Sequence, residues 1–338
     1  MTDQQHFTDS FLDAQRKMGD QQADLLIEET FADPFRKAAF YQWLKGEGQF
    51  EIDALVLALP SWADQKQMKA GSEFFIRHSE LIMSLLGLIS LPYCYCAADG
   101  AMVLYQSEKI RNQTTMRLYE TAIFVWEVMA PDAFGIGGKG FEAVLKIRLL
   151  HAMARHHLLK SGNWDSACGL PVNQEDMAGT NLAFSFIVLR GMDRLSVSVS
   201  SADRQSFMHL WNVIGFMMGL QDDLIPRKPD SAQLLDRTIS RRQFRSSAHG
   251  AGLTRSLVDH VLATNKKVTE NDILGLMKYL LGTDVAAMLN INSPDLPLYK
   301  LLLIKAINKL KSIRPLGDTR AVYERDYAKF QLQRPNNI

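Results

Sequence analysis

Three side chains on one short stretch carry the clearest chemistry in this sequence. Arg148, His151 and Arg155 stand in Lys146-Ile147-Arg148-Leu149-Leu150-His151-Ala152-Met153-Ala154-Arg155. A neutral imidazole is a common ligand for transition metals, and a guanidinium fork suits a carboxylate. At spacings of i, i+3 and i+7 the three project from neighbouring turns of a helix. An imidazole between two permanent cations suits a metal centre that carries anionic groups of its own. Haem has that combination, an iron for His151 and two propionates for Arg148 and Arg155. A packed histidine beside two solvated arginines is the plainer alternative, and these residues alone leave it open.

A second group lies upstream. Arg117, Glu120 and Thr121 occupy i, i+3 and i+4, so a helix puts them on one face, next to faces made apolar by Leu118 and Ile123. A charged trio beside Phe124, Val125, Trp126 and Val128 is either a surface edge or the wall of a pocket.

The elements that must position these residues read as helices. Phe141 to Lys160 holds no Pro or Gly, and Leu145, Leu149 and Ala152 form an apolar stripe at helical spacing. A helix is expected over 112–129, ended by Pro131. Gly135, Gly137, Gly138 and Gly140 form the loop between the two; without a following Lys-Ser/Thr or a preceding strand, this is not a phosphate loop. So short a connection favours near-antiparallel packing, which would turn Arg117 and Thr121 toward the cavity that holds His151.

Elsewhere the chain predicts two helices over 23–46 broken at Asp33-Pro34, a short one over 52–59, and a buried one from Phe74 to Leu88. A helix starts at Asn173, with Glu175 and Asp176 favourable in its first turn, and runs to about Gly191. Others are expected over 202–220, 231–246, 254–264, 270–281 and 298–311, and the last residues look loose. No alternating β-branched run supports a sheet, and there is no internal repeat. The expected fold is all-α: an N-terminal appendage over 1–60, a core over 61–228 and a C-terminal helical section over 229–338, packed as one globular domain.

Composition narrows the function. With 338 residues, 47% of them hydrophobic, the chain can bury a large core. Its 38 basic and 37 acidic residues give a net charge of +1 with no dominant basic stripe, which argues against a nucleic-acid partner. Cys94, Cys96 and Cys168 are too few and wrongly spaced for a disulfide framework or a zinc site, and read as reduced thiols. The polar N-terminus has no apolar core of the signal-peptide kind, so a cytoplasmic location is expected. The longest apolar run, Leu81 to Pro92, is short for a membrane span; peripheral membrane contact stays compatible with the sequence.

The order Arg117-x-x-x-Thr121, Arg148-x-x-His151-Ala152-x-x-Arg155, Pro171-x-Asn173-Gln174-Glu175-Asp176 and Gly179-Thr180 resembles the latex-clearing rubber oxygenases. It is similar also to the fungal oxygenases that cut the isoprenoid side chain of a mycophenolic acid precursor. The likeness runs from about Gly71 to Pro226. It implies an all-helical fold around non-covalent haem b, with His151 as axial ligand and Arg117 and Thr121 on the distal face. It also implies O2-dependent cleavage of carbon–carbon double bonds in small apolar isoprenoids, giving carbonyl products. Arg117 and Thr121 would then donate hydrogen bonds to bound dioxygen, with Arg148 and Arg155 on the propionates. Phe124, Trp126, Phe184, Phe186, Phe216 and Met217 would supply apolar walls.

Two departures stand out. Glu120 occupies the place where the rubber enzymes can carry a distal lysine, so it joins Arg117 and Thr121 as a candidate catalytic residue. The acidic base of the family has only Asp99 as its nearest candidate. Two other functions remain compatible with the residues: a haem protein that senses or carries without catalysis, and a helical interaction protein that has lost the cofactor. His78 and His209 are possible second ligands, whereas His6, His156, His157, His249 and His260 read as surface groups. Substrate identity and oligomeric state are not written in the sequence.

Overall fold

The computed structural model describes residues 7–50, 55, 57–106, 114–312 and 317–334, and among them there is no strand. The chain is all-α. Its N-terminal part forms α1 (Asp9–Gln15), α2 (Gln21–Ala32) and α3 (Pro34–Leu44). Thr8, Asp20 and Asp33 each accept a backbone N–H as N-caps, and Pro34 opens α3 where its missing N–H costs nothing. The helix expected over 52–59 falls largely outside the described residues, and 57–60 are irregular.

Next come α4 (Gln65–Arg77), α5 (Ser79–Leu85), α6 (Leu91–Cys96) and α7 (Ala98–Gln106). The predicted helix from Phe74 to Leu88 is thus broken at His78 and continues further than expected. A π-helical turn, Leu86–Ser90, joins α5 to α6 immediately before Pro92. A proline ring cannot accept the carbonyl four residues back in the usual place, and a widened turn relieves that clash. Ser79–Cys96 is long and apolar enough to cross a membrane by length and composition, yet more than half of it is buried within the fold. Here it is a core helix.

The remaining elements are α8 (Thr114–Val128), α9 (Gly140–Lys160), α10 (Gln174–Phe184), α11 (Phe186–Arg194), α12 (Ser201–Met217), α13 (Pro229–Gln243), α14 (Ala248–Thr264), α15 (Glu270–Leu281), α16 (Thr283–Met288), α17 (Leu298–Ser312) and α18 (Thr319–Gln331). Asn173 caps α10 as predicted, accepting from the Asp176 N–H. The helix expected to run on to Gly191 breaks instead at Ser185.

The main core joins α4, α5, α6, α10, α11 and α12. α4 lies close along α12 because Gly71 has no side chain: a Cβ there would sit 2.5 Å from the Ser206 carbonyl oxygen. Beside that contact Phe74 packs on Phe207, ring centroids 5.3 Å apart. α18 is an element the sequence reading missed, as is the short α16. Tyr323, Tyr327 and Phe330 recur at helical spacing and cover Trp126, and the Tyr323 hydroxyl donates to the Trp126 carbonyl at 3.0 Å. Asp318, which caps this helix, was a readable start signal.

α9 is held from the N-terminal side. Leu149 and Ala152 of its predicted stripe are buried against Ala23, Leu26, Ile27 and Phe40. Flanking this patch, the Arg148 guanidinium grips Asp20 at 2.5 and 2.9 Å, and Arg155 Nε meets Asp24 at 2.7 Å. Removing one member of a buried pair leaves the other charged and desolvated, a cost of about 3–5 kcal/mol. We expect Asp20→Ala to destabilise the protein by about that much in urea denaturation. Asp24→Ala should cost clearly less, because the Asp24 side chain keeps 36% of its surface in solvent. Equal losses from the two would contradict this assignment.

Candidate functional site

His151 sits near the middle of α9, between the Glu142 turn at one end and the His157–Lys160 turn at the other, each carrying the charge that its helix terminus favours. Glycine governs how the chain enters this helix. A Cβ on Gly140 would lie 2.7 Å from the Ala133 carbonyl, whose oxygen accepts the Gly140 N–H at 2.8 Å. Beyond this turn α8 packs on α9, so the short connection does bring the two candidate helices together.

The imidazole is strongly perturbed. Burial pushes its pKa down to about 3, and the positive charges of Arg155 and then Arg117 push in the same direction. His151 is therefore neutral throughout the physiological range. Its Nδ1 is buried without a hydrogen-bond partner. A buried polar atom with nothing to bond is uncommon in a folded protein and invites a ligand explanation.

Arg117 stands close enough to act on two groups, the half-buried His151 and the buried phenol of Tyr95 on α6. Its Nη1 lies 3.7 Å from Glu120 Oε2, and both side chains are partly exposed. The Thr121 hydroxyl donates to the Arg117 carbonyl of its own helix at 2.9 Å. That proton is committed within the helix, whereas the sequence suggested a donor aimed into the site. Arg117, Glu120 and Thr121 share the α8 segment as expected, and Arg117 is the member that reaches the histidine.

Arg148 and Arg155 are engaged differently from expectation. Carboxylates of the protein already fill the forks that were to hold propionates. Besides Asp20, Arg148 meets Gln22 Oε1 at 3.3 Å and the Met217 carbonyl at 3.4 Å. Arg155 gives Nη1 to the Val172 carbonyl at 2.9 Å, but its Nη2 is buried with no acceptor. Arg148 is thus a structural cation, while Arg155 keeps one free donor and bears on His151.

The other candidates resolve into packing. Trp126 is covered by α18, Phe184 packs on Trp211 and Phe216 on Trp62. These rings are ordinary core contacts. His209 accepts the Asp64 N–H at 2.9 Å, and His249 pairs with the Ala98 carbonyl. His78 ends α4, packs on Phe74, and is held neutral by burial, its pKa pushed down to about 4. His156 and His157 lie against Phe31. His6 lies outside the described residues.

Asp99 is not a free base: it is bonded by Arg16 at 2.8 Å and by Arg245. Arg16 also reaches Glu175 and Asp176 at 3.4 Å, and Arg242 and Gln243 complete the coordination of the fully buried Glu175. Sequence reasoning placed Glu175 and Asp176 only as favourable first-turn charges. Nothing local in the sequence signals their partners, which lie up to 160 residues away. Close by, the Thr180 hydroxyl donates to the Asp176 carbonyl at 2.9 Å, and burial pushes the Cys94 thiol up to about 12.

What could these groups hold? Among the described residues no three His, Cys, Asp or Glu side chains gather as a metal site. A bare ion would therefore find too few protein ligands around His151. A chelated iron needs only one or two, and its anionic periphery fits a neighbourhood set by Arg117 and Arg155. Haem is compatible with the donors present. Two open clefts of about 390 Å³ lie elsewhere, one among Tyr93, Arg190, Arg194 and Arg237, the other beside Trp43 and Phe50.

The comparison with known proteins meets the same segment. Residues 80–303 match the family described as ER-bound oxygenase mpaB/B'/Rubber oxygenase, catalytic domain. The chain belongs to this family. The rubber oxygenase of Streptomyces sp. (strain K30) is 26% identical over 236 residues, covering 69% of this chain and 58% of that protein. This chain thus spans little more than half the length of that relative. The solved structure of Latex Clearing Protein LCP in the closed state superposes with a TM-score of 0.76, 24% identity, and coverage of 94% of this chain and 91% of that one. The likeness establishes the shared fold. The family segment contains both α8 and α9, and therefore Arg117, Glu120, Thr121 and His151.

Asp176 supplies a pH test of the buried network. Burial raises its pKa to about 7 against the pull of Arg16. Between the unfolded carboxyl value of 3.8 and about 7 the native state holds the extra proton, so stability is greatest below that window and falls as pH rises through it. We expect Asp176→Asn to abolish this component, leaving a thermal midpoint that varies less between pH 4 and 8. An unchanged slope would remove Asp176 from the titration.

Proposed function

We propose that this protein is a haem b-dependent oxygenase that cleaves a carbon–carbon double bond of a small apolar, isoprenoid-like substrate with O2. The observation that carries this reading is the neutral, half-buried His151, whose Nδ1 is buried and unpartnered under the charges of Arg155 and Arg117. Family membership supports it, as does the name of the Streptomyces relative, a rubber oxygenase. Its free thiols accord with a cytoplasmic protein, which we include in the proposal.

Bound to this chain, the haem iron would supply the redox chemistry by which O2 is activated. His151 would hold the iron through an unprotonated nitrogen, available because burial and two neighbouring cations keep the ring neutral. Arg155 Nη2, buried and without an acceptor, is the donor left for an anionic edge of the cofactor. Arg117, whose charge reaches His151, would be the cation available to stabilise developing negative charge on oxygen. Glu120 fixes one side of that guanidinium, 3.7 Å from its Nη1. The reaction balances without an external reductant: the double bond breaks and each carbon takes one oxygen atom of O2.

A second reading is favoured by the same Glu120. A carboxylate paired with Arg117, and a Thr121 hydroxyl turned to its own helix, weaken the distal donor set. The chain would then bind haem, and sense or carry, without cleaving anything.

Two variants separate these readings. His151→Ala should purify without a Soret band and without haem by pyridine haemochrome assay; full occupancy would place the ligand elsewhere. Arg117→Ala should keep haem and lose O2-dependent carbonyl formation from a polyene such as squalene by about 10²-fold or more. Wild-type protein that binds haem and leaves the polyene and O2 untouched would establish the second reading.

A further inference from the structure

α17, Leu298–Ser312, leaves an unusual face uncovered. Leu298, Tyr299, Leu302, Leu303, Ile307 and Leu310 are between 43% and 69% exposed on this one helix. At 3.6 residues per turn they spread over about half its circumference. The opposite side is anchored: Leu301 and Ile304 pack on the main core, and Lys300 bonds Asp272 of α15 at 2.6 Å. An isolated exposed leucine needs no explanation, but a continuous apolar face is a contact surface.

The charges specify the partner. The helix contains no Asp or Glu, and its charged side chains are lysines. Lys305 and Lys309 fall along one edge of the apolar face and Lys300 along the other. The Lys305 ammonium lies over the Tyr279 ring, 5.3 Å from its centroid, at the border between the apolar face and the fold. An apolar face bordered by lysines is the pattern of a helix that lies in the plane of a lipid surface, side chains in the acyl boundary and ammonium groups among phosphates. A second copy docking through the same face would bring lysine edges together with no carboxylate on the helix to pair them.

We propose that α17 docks this protein on an anionic lipid surface, lying parallel to it with Leu298, Leu302, Leu303 and Leu310 inserted. This makes the protein peripheral to the membrane and independent of Ser79–Cys96, which stays in the core. It does not depend on the haem reading.

The test is co-sedimentation of the full chain with vesicles of phosphatidylserine and phosphatidylcholine in equal parts, alongside vesicles of phosphatidylcholine alone. Wild-type protein should bind the mixed vesicles and bind the neutral ones clearly more weakly. The double variant Leu302→Glu/Leu310→Glu changes only exposed positions and should lose binding by at least tenfold while keeping its helical circular dichroism and thermal midpoint. Lys305→Gln and Lys309→Gln should each weaken binding to the mixed vesicles about fivefold, an effect erased by high salt. Wild-type protein that stays in the supernatant overturns the proposal, as does binding unchanged in the Leu302/Leu310 variant. A wild-type dimer in size-exclusion chromatography that this variant turns into a monomer, with no vesicle binding, would assign the face to self-association instead.

Discussion

The salt bridges from α9 to the N-terminal helix set the frame for everything near His151. Two arginines on one helix, one facing the Met217 carbonyl and one facing that of Val172, cannot be desolvated unless carboxylates come with them. Asp20 does this while capping α2, so a single carboxylate ends one helix and clamps another. Asp24, one turn on, repeats the contact with Arg155. The apolar contact of Leu149 and Ala152 with α2 lies between the pairs, which fixes the rotation of α9 about its axis. Once that rotation is fixed, the direction in which His151 projects is fixed as well.

A second ionic layer stabilises the neighbouring helices. Arg16 follows α1 and joins Asp99, Glu175 and Asp176, carboxylates from α7 and α10 that would repel one another without it. Arg242 of α13 shares Glu175. The carboxylates are thus consumed in holding helices together, and none of these is left to neutralise Arg117. The environment of His151 follows: burial drives the proton off, the charges of Arg155 and Arg117 add to that, and no described carboxylate bonds the ring.

Helices were legible in the sequence wherever a cap or a breaker marked them. Asp33-Pro34, Asn173 and the glycines before α9 read directly into structure because their effects are local. α18 was missed although Tyr323, Tyr327 and Phe330 carry a helical period, since the charged residues between them make the segment read as a polar tail. Of the candidate site, the nearness of the two helices was legible: the connection between α8 and α9 is short, and the structure brings Arg117 close enough for its charge to act on His151. The role of Arg148 was not legible, because a guanidinium at that spacing reads the same whether it awaits a propionate or Asp20, 128 residues away. The aromatic walls failed for a similar reason: Trp126 and Phe184 look alike in sequence whether they face a ligand or Tyr327 and Trp211.

The two arginines that do bear on the imidazole differ in how firmly they are held. Arg155 is almost wholly buried, with 2% of its side chain exposed, and is fixed by Asp24 and the Val172 carbonyl. Leaving that arrangement would strand a desolvated charge. Arg117 has only Glu120, one helical turn away, at 3.7 Å with both groups about a third exposed. A pair of that kind holds by about 0–1 kcal/mol, so water or an incoming anion can displace it at little cost. Arg155 therefore adds a constant field to the burial that keeps the ring neutral, and Arg117 is the cation able to change partner when a ligand arrives. The carboxylate at position 120 sharpens this division. A lysine there would repel Arg117, whereas Glu120 holds the guanidinium at 3.7 Å until something more negative displaces it.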